Sequence, residues 1–297
     1  VKYEVNLGMS SLYTDSTSWS KSTGAKVYYG NLISDATGKS PVAYRVLGKS
    51  TETQSVGAAQ DYVLLDSDSI LYRSYFDESS GGWNGSDLER LLNSKYVDSR
   101  NAEQGAMFSK VEANLLMPTT LKENTYTIRT YLEGESRTVS VKDEAAEDYI
   151  FILSAKEIRN LYADKQSTNK NVSGDYWWLR SSRANSMKVV WLDSVGNFQI
   201  DAECMDDNIG VCPAFNMNTS GVLFSTAVGF DKKKAITASS AQIKESAVND
   251  WTLTLKDTNK TIQLTSGKEA VLAADGTVTI PYTYSDSRNS QNPVNQV

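Results

Sequence analysis

Residues 176–182 read YWWLRSS. In an extended chain, neighbouring side chains point to opposite faces. Trp177 and Trp178 then fill the spaces on the two sides of one sheet. The run reads as scaffold, with Arg180 paired to a carboxylate or to carbonyl oxygens. The next segment is different in kind. Residues 183–208 mix Met187, Trp191 and Ile200 with Lys188, Asp193, Asp201 and Glu203. That chemistry suits neither a clean core nor a clean solvated face. Tryptophan dominates binding hot spots, so Trp191 among acids marks the segment as a candidate platform for a ligand.

Around this run the chain alternates short helices with strands. Three Ser-x-x-Glu sequences announce helix starts: Ser86–Glu89, Ser109–Glu112 and Ser154–Glu157. In each, the serine hydroxyl can accept the glutamate N–H while the glutamate reaches back. Apolar residues follow at helical spacing, predicting helices of two to three turns. KVYYG (26–30) and VAYRVLG (42–48) predict a strand pair, and YVLLD (62–66) and DYIFIL (148–153) central strands. Residues 125–142 alternate on both sides of a turn and predict an inserted polar hairpin. MKVVWLD (187–193), a turn at 194–196 and NFQIDA (197–202) predict a meander, followed by IGVCPAF (209–215).

Composition shifts near residue 231. The expected organisation is a main domain over 1–232, a charged small-residue linker over 233–247, and a small all-β module over 248–297. The ending NPVNQV reads as a strand cut short, and the start at Val1 rather than Met fits removal of a leader.

Composition excludes several function classes. The net charge of −6 argues against nucleic acid, whose phosphates need a basic face, and against anionic lipid. No apolar run approaches the ~18 residues of a membrane helix, so direct membrane insertion is not expected. The chain has no histidine, which removes Ser-His-Asp and Cys-His catalysis and histidine-ligated zinc. Two cysteines, Cys204 and Cys212, cannot make a four-cysteine metal site. They read as free small residues, with a disulfide as the alternative in an exported chain.

Several stretches together resemble a known family. They are VYYG (27–30), PVAYRVL (41–47), LLDSDSILYRSYF (64–76), WNGSDLERLLN (83–93), FSKVEANLL (108–116), YIFILSAKEIRNLY (149–162), YWWLRSS and GVCPAFNM (210–217). In order and spacing they are similar to exported proteins of gut Firmicutes and their phages. The paired signature WWLRS … GV-x-PAF is the most specific part. The resemblance implies an α+β fold, C-type-lectin-like and related to formylglycine-generating enzymes, followed by a sandwich-like (Ig-like) β module. Some members are variable proteins of diversity-generating retroelements, in which adenines between the two halves of the signature are rewritten. Matched position by position, the resemblance implies a variable ligand-binding surface at Ala184, Asn185, Met187, Lys188, Trp191, Asp193, Asn197, Gln199, Ile200, Asp201, Glu203, Met205 and Asp207. It makes Trp177, Trp178, Arg180, Gly210 and Pro213 the scaffold. This chain departs from the pattern at Cys212, where the family carries arginine, and at Ser182-Arg183, where it carries Pro-Gly.

The implied function is display of that surface to a protein or glycan ligand, outside the cell, on its surface or on a phage particle. No catalytic residue, metal or cofactor is expected. The alternative within the same class is a non-diversifying adhesin or carbohydrate-binding protein. Three other classes have specific requirements. A formylglycine-type enzyme needs a copper-binding cysteine pair, yet Cys204 and Cys212 lie in or beside the segment expected to vary. Glycoside hydrolysis needs two carboxyl groups at defined separation, and the acids Asp201, Glu203, Asp206 and Asp207 read more simply as a solvated loop. Calcium could find oxygen ligands there, but the sugar-binding motifs of calcium-dependent lectins are absent.

Overall fold

The computed structural model describes residues 5–14, 18–34, 38–56, 61–96, 107–132, 135–170, 175–183, 186–227, 249–256, 260–264 and 282–286. The chain divides into two compact units, Val1–Thr254 and Leu255–Val297.

The first unit is built on two seven-stranded sheets. One runs in the order Val5–Leu7, Val222–Ala227, Asp250–Leu255, Lys26–Ser34, Gly38–Gly48, Tyr62–Ser67, Ala214–Asn218. Its middle contains the expected pair from the first 50 residues, antiparallel with Val27 opposite Tyr44. The strand Tyr62–Ser67 is buried along almost its whole length, as its apolar run predicts.

The other sheet carries YWWLRSS. The strand Trp177–Ser182 pairs with Val189–Leu192 on one side and with the hairpin strand Glu135–Asp143 on the other. Val189–Leu192 continues to Phe198–Gln199, and that strand lies parallel to Asn124–Leu132, with Phe198 opposite Thr130. Asn124–Leu132 then returns to Glu135–Asp143 through the expected hairpin. The ring closes as a five-stranded barrel. Two of its seams are narrow, Ser182 opposite Lys142 and Phe198 opposite Thr130 being one residue pair each.

Strand accounts for 45% of the structure and helix for 15%, so the chain is mostly β. The expectation of an α+β, C-type-lectin-like domain is overturned. The reason lies in what a capping box specifies. All three serines do cap: Ser86, Ser109 and Ser154 each accept the N–H three residues on, and at Ser109 and Ser154 the glutamate bonds back. At Ser86 the back-bond goes instead from Gly85 N–H to Glu89. A cap sets where a helix starts and says nothing about where it stops. The helix α1 (Asp87–Leu91) runs on as a π-helical stretch over Leu92–Tyr96, whereas α2 (Lys110–Ala113) and α3 (Ala155–Leu161) are one to two turns long. α2 gives way four residues later to Met117-Pro118, where proline disfavours a helical predecessor. α3 ends as Tyr162 turns extended and points its hydroxyl at Asp66 inside the core.

DYIFIL also corrects a prediction. Residues 149–153 are buried for the most part, but they form no ladder strand beyond an isolated bridge of Phe151 to Ala214. Their carbonyls serve Arg180 instead: its N–H donates to Leu153 O and its guanidinium to Ile152 O, both at 3.0 Å.

The second unit begins later than the composition suggests. Asp250–Leu255, expected in the small module, pairs in parallel with Lys26–Tyr28 in the first sheet. In the second unit the described residues form one antiparallel pair, Lys260–Leu264 with Tyr282–Asp286. The expected linker 233–247 and the C-terminal end lie outside the described residues. Among the described residues no helix is long and apolar enough to cross a membrane.

Candidate functional site

The base of the site is rigid. Trp177 and Trp178 are buried, on opposite faces of a strand with no exposed residue. Trp178 donates its indole N–H to Ser74 O at 2.8 Å and stacks edge-on against Phe76. Trp177 lies 4.6 Å from the ammonium of buried Lys170. Arg180, fully buried, pairs with Glu157, which also accepts Ser50 and Thr53 hydroxyls at 2.8 and 3.0 Å. Glu157 therefore both accepts the N–H of Ser154, the cap of α3, and serves as counter-ion of the barrel strand.

Gly210 and Pro213 are structural too. Gly210 pairs with Trp177 and with Arg73, and a Cβ there would meet the Ile70 side chain at 2.6 Å. Pro213 supplies a carbonyl to Ser67 N–H. Cys212, where the resembled family has arginine, is buried, and burial pushes its thiol up to about 12. The cations near it come from elsewhere: Lys170 pairs with Asp66, and Arg45 with Asp68 at 2.7 Å.

On this base sits an exposed strip. Trp191 is half-exposed and lies across the ladder from Trp178. Its indole N–H donates to Asp201 at 3.1 Å, and its ring meets Tyr176 edge-on at 5.3 Å. The Arg73 guanidinium lies 5.5 Å from the Tyr176 ring and pairs with Asp175. On the other side of Trp191, Lys188 donates to Asp201 O at 2.7 Å and to Glu203 at 3.2 Å. Tyr176, Trp191, Asp201, Lys188 and Glu203 thus form one continuous surface. Tyr176, Arg73 and Asp175 were missed by sequence reasoning. Tyr176 could have been found, since in a strand it shares a face with Trp178 and so with Trp191. Arg73 could not, because it arrives from a distant strand.

The remaining expected contact residues separate into groups. Asp193 is the hub of the turn: it accepts the N–H groups of Val195 and Asn197 and the side-chain amides of Asn197 and Gln199, at 2.8 to 3.1 Å. Those three side chains hold one another. Gly196 completes the turn at φ +79°, and a Cβ there would run into Lys165 O, so only glycine fits. Ile200 is buried, which corrects its placement on the surface. Alternation turns it inward when Asp201 faces out. Met187 is half-buried, whereas Met205 is 52% exposed and Asp207 is exposed as well. Ala184 and Asn185 lie outside the described residues.

Cys204 is buried at the foot of the acidic loop. Its N–H reaches Met187 O, and its carbonyl accepts the N–H groups of Phe76 and Asp77. Both cysteines are free thiols. Among the described residues no group of three or more His, Cys, Asp or Glu side chains is arranged to hold a metal.

A family model described as a domain of unknown function (DUF6273) matches residues 60–219, more than half of the 297-residue chain. No curated protein and no solved structure matches the chain.

Proposed function

We propose that this chain, a member of the DUF6273 family, is an exported ligand-binding protein that displays the strip around Trp191 to a protein or glycan. It acts outside the cell, on its surface or on a phage particle. The observation that supports this reading is the half-exposed aromatic pair Tyr176–Trp191 on a buried, hydrogen-bonded base. A large aromatic held in place by Asp201 loses little freedom on binding, so its contact area turns into affinity rather than ordering cost. The acids beside it, Asp201 and Glu203, favour a partner that offers cations or hydroxyl donors.

Within this reading the segment 183–208 is diversified by a retroelement, and the exposed residues are where substitution is tolerated. Lys188, Trp191, Asp201, Glu203, Met205 and Asp207 can change without touching the base. Ile200 and the hub of Asp193, Asn197 and Gln199 cannot change so freely. Sequencing this gene segment from many cells of the source population tests the idea. Changes traceable to adenines and concentrated at the exposed positions are the expected result. An invariant segment between drifting flanks would remove diversification and leave a fixed-specificity adhesin. Binding itself is tested on glycan and protein arrays with the natural chain and Trp191→Ala, which should lose at least about tenfold in affinity for whatever is captured.

A further inference from the structure

A cleft of about 450 Å³ opens between the hairpin strand Asn124–Leu132, α3 with the segment after it, and the turn before Phe198. Small-molecule sites commonly occupy roughly 300–1,000 Å³. Ile158 and Phe198 give it apolar wall, while Arg129, Arg159 and Lys165 bring three cations against one acid, Asp164. In a chain of net charge −6, such a gathering of cations in one hollow runs against the overall balance.

Neither guanidinium in the cleft has a carboxylate partner among the described residues. Asp164 is turned to its own loop, accepting Ser167 N–H at 2.7 Å. Arg129 is exposed and makes no hydrogen bond or ion pair among the described residues. Arg159 donates to the Thr127 carbonyl at 3.1 Å and lies over the Tyr126 ring at 5.1 Å, with no carboxylate partner among the described residues. Lys165 donates to the neutral amide of Asn197 at 2.6 Å. Two guanidinium forks with no counter-ion among the described residues, beside an apolar wall, suit an oxyanion attached to an apolar body.

We infer that this cleft binds a small organic anion, a carboxylate or phosphate on an apolar group, with the oxyanion at Arg129 and Arg159 and the apolar part against Ile158 and Phe198. The site is distinct from the Trp191 strip, since Trp191 does not line it.

Calorimetry and saturation-transfer NMR on the full chain test this with benzoate, phenyl phosphate, inorganic phosphate and neutral benzyl alcohol. The two aromatic anions should bind saturably, with benzyl alcohol and inorganic phosphate each about tenfold weaker or worse. Binding should weaken with added salt. Arg129→Gln, at an exposed residue with nothing to lose structurally, should weaken the anions several-fold. Arg129→Gln with Arg159→Gln should abolish their binding while the thermal melt stays cooperative, and Trp191→Ala should leave it unchanged. Equal binding of benzyl alcohol, no saturable binding by any probe, or anion binding indifferent to both arginine variants would each overturn the inference. If phosphate alone binds as tightly as phenyl phosphate, the apolar half of the assignment is wrong.

Discussion

Trp178 and Trp191 are direct cross-strand partners, yet one is buried and the other half-exposed. Residues opposed in a ladder share a face, so the boundary between core and surface passes between these two indoles. Each anchors its N–H differently, Trp178 on the Ser74 carbonyl and Trp191 on the Asp201 carboxylate. Trp178→Ala should therefore cost roughly 3–5 kcal/mol of stability, as for a large core truncation. Trp191→Ala should cost about 1 kcal/mol or less. Urea midpoints at unchanged m-value measure both, and equal losses would place Trp191 in the core rather than at the surface.

Arg180 and Glu157 form a fully buried pair, and the Arg180 Nε and Nη2 groups have no hydrogen-bond partner among the described residues. Glu157 is the carboxylate bonded to that charge, with Asp143 acting on it from nearby and Ile152 O accepting at 3.0 Å. Removing either partner strands the other in the core. Arg180→Met and Glu157→Gln should each lose about 3–5 kcal/mol, and the double variant should lose clearly less than their sum. Additive losses in a double-mutant cycle by chemical denaturation would show that the pair is not coupled.

Asp148 gives stability a pH dependence. Its carboxylate accepts the Trp83 indole N–H at 2.8 Å and the Asn93 amide at 3.2 Å, but burial, with Glu89 nearby, raises it to about 7. A carboxyl raised on folding binds more protons in the folded state than in the unfolded one. Its contribution is fully present below about pH 4, its unfolded value, and is lost as pH rises towards 7. Stability from this site should fall across that window, and Asp148→Asn should flatten the slope there. Urea midpoints across the window, for both chains, measure it. The same slope in the variant would assign the effect to another group.

Cys204 and Cys212 are free and buried, and burial raises both thiols above their ordinary value. Thiolate is the reactive form. A colorimetric thiol reagent should find almost nothing in the folded protein and both thiols in denaturant. Rapid labelling of the folded chain would mean that the foot of the acidic loop opens.

Much of the local detail was legible in the sequence. Ser86, Ser109 and Ser154 cap helices because capping is a contact between residues three apart. The hairpin of residues 125–142, the turn at Gly196 and the burial of Trp177 and Trp178 on the two faces of one strand follow from alternation and turn chemistry over a few residues. The mostly β class was not legible, because capping residues count helix starts while helix length depends on what covers each turn. Nor was the barrel, whose closure depends on Phe198 lying beside Thr130 from a strand far away in the chain.

The candidate site divides along the same line. Residue types and their order suffice to show that residues 183–208 mix aromatics and charges after an apolar strand, and that no histidine is present for catalysis. It could not tell Trp191 from Ile200, or an outward-facing Asp201 from an Asp193 spent on its own turn. Those distinctions belong to the tertiary structure. Exposure and spare hydrogen-bonding capacity are set by neighbours that arrive from elsewhere in the chain, such as Tyr176 and Arg73 beside Trp191, and Arg129 and Arg159 around the cleft. Local pattern records which face a side chain takes, and only packing decides what meets it there.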